Sequence, residues 1–505
     1  MKYLLGIDIG TSATKSVLFD AEGTAVCSAS AEYPLYQPNP SWAEQDPDDW
    51  WNATCVTINQ ILQKSGVKAE EIAGVGLSGQ MHGAVVLDKD NRPLRRSIIW
   101  CDQRTAAECD QITSIIGKER LIEITANPAL TGFTASKIMW IKNNEPHIFE
   151  QAKKIILPKD YIRFKLTGEF ATDVSDASGM QLLDVKNRCF SSEVLSKLGL
   201  DSGLFAKVYE SCQVTGTVLP NSPSGLAAGT IVVGGAGDQA AGAVGNAIVK
   251  QGVISSTIGT SGVVFAHTDQ PLIDPKGRVH TFCHAVPGAW HIMGVTQAAG
   301  LSLKWFSDTF CQSEKQTAAL LDMDVYQLLD QMAEKIEPGA GKLLYLPYLM
   351  GERTPHLDPY CKGSFVGLTP SHTKAHLIRS VLEGIVFSLN DCLEIIREMG
   401  VGASSIMASG GGGKSPLLCQ MQADVFSSQV NTIKGGEGGA LGVAILAGVG
   451  AGIYSTVEQG CQVAVKQNKT YLPDSAANAE YCKYYQIYKD LYQGLNKSFK
   501  ALAAL

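Results

Sequence analysis

Apolar positions along the chain form short, continuous runs of strand length that alternate with longer stretches of helical spacing. Tyr3 to Ile9 and Ser16 to Phe19 are two such runs separated by Gly10-Thr11-Ser12, and Val253 to Ile258 and Val263 to Ala266 repeat the arrangement around Gly259-Thr260-Ser261. Each pair predicts a β-hairpin with a Gly-Thr-Ser tip. Ile9-Gly10-Thr11-Ser12 thus recurs as Ile258-Gly259-Thr260-Ser261, which predicts two similar lobes. A chance match of four residues is the competing reading in a chain with 51 glycines, and the shared strand context argues against it. Elsewhere Asp46-Pro47 has the form of an N-cap and first-turn pair for a helix running through Trp50 and Trp51 towards Gln63. Ile72 to Ser78 and Ala84 to Leu87 then predict strands, so the chain alternates in the manner of an α/β protein.

Length turns this pattern into two domains. At 505 residues the chain exceeds what one hydrophobic core organises, and we divide it at 1–246 and 247–505. Hydrophobic residues at 45% and charged residues at 18% allow a large core and exclude disorder. A net charge of -7 with no Lys/Arg run excludes a nucleic-acid partner. The 13 cysteines are scattered and form no C-x-x-C pair, which predicts reduced thiols and, with no signal-peptide pattern after Met1, a cytoplasmic location. The uncharged run from Gly438 to Val457 holds too many glycines for a membrane span and predicts a buried helix of small residues.

Two glycine patterns mislead. Gly74-Val-Gly76-Leu-Ser-Gly79 satisfies the dinucleotide G-x-G-x-x-G spacing, but a strand follows where a helix is required, so we take the match as accidental. Gly413-Lys414-Ser415 ends like a phosphate loop, yet the first glycine of that loop falls on Ala408. The run Ser409 to Gly413 still lies between an apolar strand and a helical stretch from Pro416, where bare backbone can approach a nucleotide.

The candidate chemistry lies beside these turns. Asp8 ends the first strand next to the Gly10-Thr11-Ser12 tip, as a Mg²⁺ ligand or as an ordinary strand-end cap. Lys15 either neutralises phosphate or is simply solvated. Asp238 follows Gly234-Gly235-Ala236-Gly237, where small residues leave room for a substrate hydroxyl that it could deprotonate; its bland role is a helix N-cap. Gln80-Met81-His82-Gly83 joins two strands and suits recognition of sugar hydroxyls, against the commoner structural histidine. Trp100, Asp102 and Arg104 form an outer salt bridge or cap a strand edge.

Together these segments closely resemble the FGGY carbohydrate kinases, from Leu5-Gly-Ile-Asp-Ile-Gly-Thr-Ser12 to Gly438-Gly-Ala-Leu-Gly-Val-Ala444. Gly132-Phe-Thr-Ala-Ser-Lys137-Ile-Met-Trp140 is similar to the family's first signature, and Gly363-Ser-Phe365-Val-Gly367 through Leu382-Glu383 to its second. Trp42 to Trp51, Ser78 to Gly83 and Leu349 to His356 are most like the members that phosphorylate xylulose. The resemblance implies an α/β fold of two actin-like (ribonuclease H-like) domains around a catalytic cleft, the first binding sugar and the second nucleotide. It implies phosphoryl transfer from ATP with Mg²⁺ to D-xylulose, giving D-xylulose 5-phosphate, with ribulose and gluconate as alternative acceptors. Carried over by position, Met81, His82, Asp238 and Gln239 contact the sugar, and Asp238 is the base. Thr11, Ser12, Lys15, Gly259, Thr260 and Gly300 line the phosphates, while Gly410, Gly411 and Ser415 approach the adenosine end. Gln239 and Ser415 stand where relatives carry asparagine. The resemblance allows a homodimer. A different class of protein, an actin-like nucleotide-binding module without sugar chemistry, has no need of Met81, His82 or Asp238.

Overall fold

In a computed structural model that describes residues 2–435 and 437–505, both predicted hairpins form, and each sits at the centre of its own sheet. Strands β1 (Tyr3–Ile9), β2 (Ala13–Phe19), β3 (Ala25–Glu32), β4 (Ile72–Gly79), β5 (Val214–Thr217) and β6 (Ile231–Val233) give the first sheet, in the order β5-β6-β4-β1-β2-β3. A short strand β7 (Ala236–Gly237) adds to β4 beyond β6. Six of the seven strands of the second sheet are β8 (Val253–Ile258), β9 (Gly262–Thr268), β10 (Trp290–Thr296), β11 (Ser405–Gly410), β12 (Gln429–Ile433) and β13 (Gln467–Tyr471), in the order β10-β9-β8-β11-β12-β13.

Register confirms the repeat. β1 is antiparallel to β2 and parallel to β4, with Ile9 opposite Thr14 and Gly79; β8 is antiparallel to β9 and parallel to β11, with Ile258 opposite Gly262 and Gly410. The glycines that end β4 and β11 therefore occupy equivalent places. The second hairpin closes one residue sooner than the first, a difference the four-residue repeat does not reveal.

The chain forms two compact units, and it crosses between them more than once. The first comprises 1–250, 268–291 and 437–466; the second comprises 251–267, 292–436 and 467–505. The first crossing lies between 250 and 251, and later segments return to each unit.

Alternation along β1 decides how the first unit packs. Leu5, Ile7 and Ile9 point into a core with Trp50, Ile58 and Ile61 of the helix Pro47–Ser65. That helix begins as its sequence predicts: Asp46 accepts from the Asp48 N–H at 3.0 Å and Pro47 occupies the first turn. Leu4, Gly6 and Asp8 face the other way, towards the helix Gly438–Gly450, as do Gly74, Gly76 and Ser78 of β4. A Cβ on Gly6 would overlap the carbonyl of Ala440, and one on Gly76 the carbonyl of Val443. The apparent dinucleotide motif is thus a seat for helix backbone. The helix itself is buried from Ala440 to Gly448, as the run of small residues predicts. Among the described residues, no helix is long and apolar enough to cross a membrane.

Overpacking this seam should be costly. We expect Gly76→Ala to lower the unfolding free energy by about 1–3 kcal/mol in urea titration. Gly494→Ala, at a helical site with nothing within 4 Å, should instead raise it by about 0.5–1 kcal/mol.

Candidate active site

In the first unit, the row that begins with Leu4 and Gly6 ends at Asp8. Its carboxylate lies beside the first turn of the Gly438–Gly450 helix, where a Cβ on Gly439 would stand 3.7 Å from Asp8 Oδ2 and 3.6 Å from Ser78 Oγ. Backbone N–H groups at a helix start favour negative charge there. Asp8 Oδ1 is nonetheless buried with no hydrogen-bond partner. Burial pushes the Asp8 carboxyl up, against the pull of the Ser78 hydroxyl and the Lys15 ammonium.

Asp238 comes to the same place by way of β7, where Ala236 and Gly237 pair with Ser78 and Gly79. It is the first residue of the helix Asp238–Gly245 and Gly237 is the cap, so the capping role open to Asp238 falls to its neighbour. Burial, and then the charge of Asp8, push its carboxyl up to about 7, with the Gln239 backbone and side chain opposing. Gln239 therefore stands beside the carboxylate.

The Gln80-Met81-His82-Gly83 turn meets Asp238 through Gly237, where a Cβ would come within 2.9 Å of Met81 Sδ. Met81 is buried, and His82 holds a left-handed backbone at φ 70° with its Nδ1 2.8 Å from the Gly179 carbonyl. Its ring stacks on Phe133 with centroids 4.6 Å apart. Lys137 fixes the turn from beneath, donating to the carbonyls of His82 at 2.8 Å and Gly132 at 2.5 Å. Burial brings this ammonium down to about 7, with Asp102 pulling it back.

Side chains also fasten the Gly10-Thr11-Ser12 tip. Gln45 donates to the Thr11 carbonyl at 2.6 Å, Gln80 to the Gly10 carbonyl at 3.2 Å, and Tyr33 to the same Gly10 oxygen. Trp100 donates to Thr11 Oγ1 at 2.9 Å. Ser12 is exposed, and Lys15 is ion-paired with Glu437 at 2.5 Å. Asp102 and Arg104 form the anticipated salt bridge, 2.7 Å long and buried, with the guanidinium 3.6 Å from the ring centre of Trp42. Gln45 and Lys137 went unassigned in the sequence, although both lie within segments that carry the family resemblance.

The second unit contains a separate cavity of about 430 Å³. Gly259, Thr260, Gly300, Gly411 and Ser415 line it, five of the residues expected to touch nucleotide. Gly410 is not in its wall; at φ 68° it packs against the Ile258 carbonyl and turns the chain into the lining. Gly300 and Leu301 donate to the carbonyls of Gly259 and Thr260 at 2.9 and 3.0 Å, which locks the hairpin tip to the helix Ala299–Phe310. Ser415 caps the helix Pro416–Phe426, accepting from Leu418 N–H at 3.0 Å. Tyr326, Gln327 and Asp330 add to the wall from the helix Val325–Ala333, which carries no motif, and Lys304 from the helix that holds Gly300.

These features coincide with similarity to known proteins. Residues 3–245 match the model for the N-terminal domain of the FGGY family of carbohydrate kinases, and residues 254–451 match that for its C-terminal domain. The chain is 37% identical to a xylulose kinase of Bacillus subtilis (strain 168), covering 99% of both chains. It superimposes on a xylulose kinase of Lactobacillus acidophilus with a TM-score of 0.92 at 30% identity, over 99% of this chain and 100% of the other. A gluconate kinase from the same organism gives a TM-score of 0.92 at 30% identity, over 99% of each chain.

Two measurements test the site. Because the folded-state value of Asp238 lies above that of an unfolded carboxyl, the folded protein holds an extra proton between about pH 4 and pH 7 and loses stability as pH rises through that window. Asp238→Asn should therefore raise the thermal midpoint at pH 8 more than at pH 4. Gly411 has only the Ile258 carbonyl near its missing Cβ, at 3.6 Å, so a larger side chain there is free to fill the cavity. Gly411→Val is expected to raise KM for ATP about tenfold, the cost of a lost contact near 1.4 kcal/mol, and to leave KM for the sugar unchanged.

Proposed function

This chain belongs to the FGGY family of carbohydrate kinases and is an ATP-using sugar kinase, and from that premise we propose that its acceptor is D-xylulose and its product D-xylulose 5-phosphate. The observation that carries the reading is the pairing of Asp238, raised to about 7 by burial and Asp8, with the Met81-His82 turn that packs on Gly237. A base needs a pKa near working pH and a hydroxyl within reach, and this carboxylate has the first beside a turn suited to the second. The sugar O5 attacks the γ-phosphorus of ATP, its proton passes to Asp238, and ADP leaves. Thr11, Ser12 and Lys15 in one unit, and Gly259, Thr260, Gly300, Gly410, Gly411 and Ser415 in the other, are the residues we assign to the nucleotide, with Gln239 assigned to the sugar.

A divalent cation suits the residues present. Asp8 Oδ1 is buried and lacks a hydrogen-bond partner, and a hard oxygen donor of this kind fits Mg²⁺. Among the described residues no three His, Cys, Asp or Glu side chains are grouped so as to hold a metal ion, and Mg²⁺ held by one or two carboxylates keeps several of its waters. When bound, Mg²⁺ supplies neutralisation of phosphate charge. All thirteen cysteines are free thiols, which supports a reducing compartment, and we assign the protein to the cytoplasm.

A neutral ketose suits the turn better than gluconate. The Lys137 ammonium beneath the turn is committed to two backbone carbonyls and offers little to a carboxylate substrate. ADP release from Mg-ATP should depend strongly on D-xylulose and weakly on gluconate, ribulose or glycerol. Preference for gluconate would retain the kinase and replace the acceptor. We expect the kcat/KM profile for D-xylulose to fall below about pH 7, since only ionised Asp238 accepts a proton. Asp238→Asn should lower kcat by about 10²–10⁴-fold.

A further inference from the structure

The loop that delivers Asp238, Gly234-Gly235-Ala236-Gly237, has almost no side chains with which to hold itself in place. Its position is set by groups that reach it from elsewhere. Gly235 N–H donates to the Ser211 carbonyl at 2.9 Å, and Gly237 N–H donates to Ser175 Oγ at 3.2 Å. The Gly234 carbonyl accepts from Arg163. Ser175 and Ser211 share one organiser: both hydroxyls donate to Asp173 Oδ2, at 2.6 and 2.8 Å, and the Ser175 N–H adds a third bond at 2.9 Å.

Asp173 in turn belongs to a buried charge cluster. Lys159 lies 2.8 Å from Asp173, 2.7 Å from Asp160 and 3.2 Å from Asp176, and Arg163 lies 2.6 Å from Asp160. All five side chains are at most 1% exposed. Groups buried this deeply cost desolvation energy that apolar residues would avoid, and burial pushes the Asp176 carboxyl well above the usual carboxylate range, so the cluster contributes little to stability for its size. Its outward connections lead to the glycine loop.

Resting on the reading of Asp238 as the base, we propose that Ser175, oriented by Asp173, is a positioning residue that fixes the Gly237 amide and so aims the Asp238 carboxylate at the sugar hydroxyl. The direction of the hydrogen bonds requires this arrangement. The Gly237 N–H can only donate, so a lone pair of Ser175 Oγ faces it and the Ser175 proton is left for Asp173 Oδ2. Without that acceptor the residue immediately before the base keeps only its strand pairing beside Gly79, and small misplacements of a reacting group are expensive in rate.

The test is steady-state kinetics on the full-length protein with Mg-ATP and D-xylulose. Ser175→Ala is expected to lower kcat about tenfold or more while KM for sugar and ATP stays within about twofold, because the loop aims the reacting group rather than binding substrate. Ser175→Thr, which keeps the hydroxyl, should recover kcat to within about twofold of the parent. If Ser175→Ala does not fold, Ser175→Cys takes its place, since it keeps the volume and replaces the hydroxyl with a weak acceptor. Unchanged kcat in Ser175→Ala, or Ser175→Thr as slow as Ser175→Ala, overturns the proposal, the latter because packing rather than the hydroxyl would then be responsible. Asp238→Asn run in parallel separates the two ideas: if it is inactive while Ser175→Ala is not, the base stands and the anchor falls. An active Asp238→Asn overturns the base, and the anchor with it.

Discussion

Two carboxylates, Asp8 and Asp238, come to one place in the first unit, where burial first and the charge of Asp8 second push the Asp238 carboxyl up. Left in water, each would ionise near pH 4 and neither would serve as a base for a sugar hydroxyl at neutral pH. Buried together, they make ionisation of Asp238 costly until about pH 7. The surroundings contain the strain. The first turn of the Gly438–Gly450 helix stands over Asp8, Lys15 adds a positive charge nearby, and Gln239 donates to Asp238.

The packing of the unit follows from holding that pair in place. Asp8 occupies its position because β1 is flat against a helix, and the helix approaches only because Gly6 and Gly76 present no side chain. Ala241 and Gly245 of the Asp238–Gly245 helix make a second close seam with the same helix, where a Cβ on Gly442 would overlap the Ala241 carbonyl and one on Gly245 that of Gly438. Both carboxylates are thus referenced to one helix of small residues. In the second unit the same hairpin-and-parallel-strand pattern carries no carboxylate pair; its tip is locked to a helix and lines a cavity with bare backbone.

Much of this was readable in the chain because it depends on local signals. Strand-length apolar runs with Gly-Thr-Ser between them located both hairpins, Asp46-Pro47 located a helix start, and a lone aspartate after three glycines located Asp238. Groups that act across long stretches of chain were silent. Gln45 reaches the Thr11 carbonyl, Lys137 the His82 carbonyl and Ser175 the Gly237 amide, and a bond to a backbone atom leaves no trace in the partner's identity. Gly74 and Gly76 gave a true pattern with a misleading label: Gly76 is required and Gly74 is tightly placed, at 3.2 Å from the Ala447 carbonyl, for helix packing and not for a dinucleotide. The cavity of the second unit divided the same way, its glycine turns being visible and Tyr326, Gln327 and Asp330 being anonymous helix residues.

The central claim, that Asp238 is held as a carboxyl titrating near neutrality, is tested most directly by carbon-13 NMR of aspartate carboxyls. Titration of the nucleotide-free protein, with Asp238→Asn used to assign the signal, should show one Asp238 resonance with its midpoint near pH 7. A midpoint close to 4, the value of a solvated carboxyl, would contradict the account, since Asp238 would then be an ordinary exposed aspartate with no shared burial to explain its place in the site.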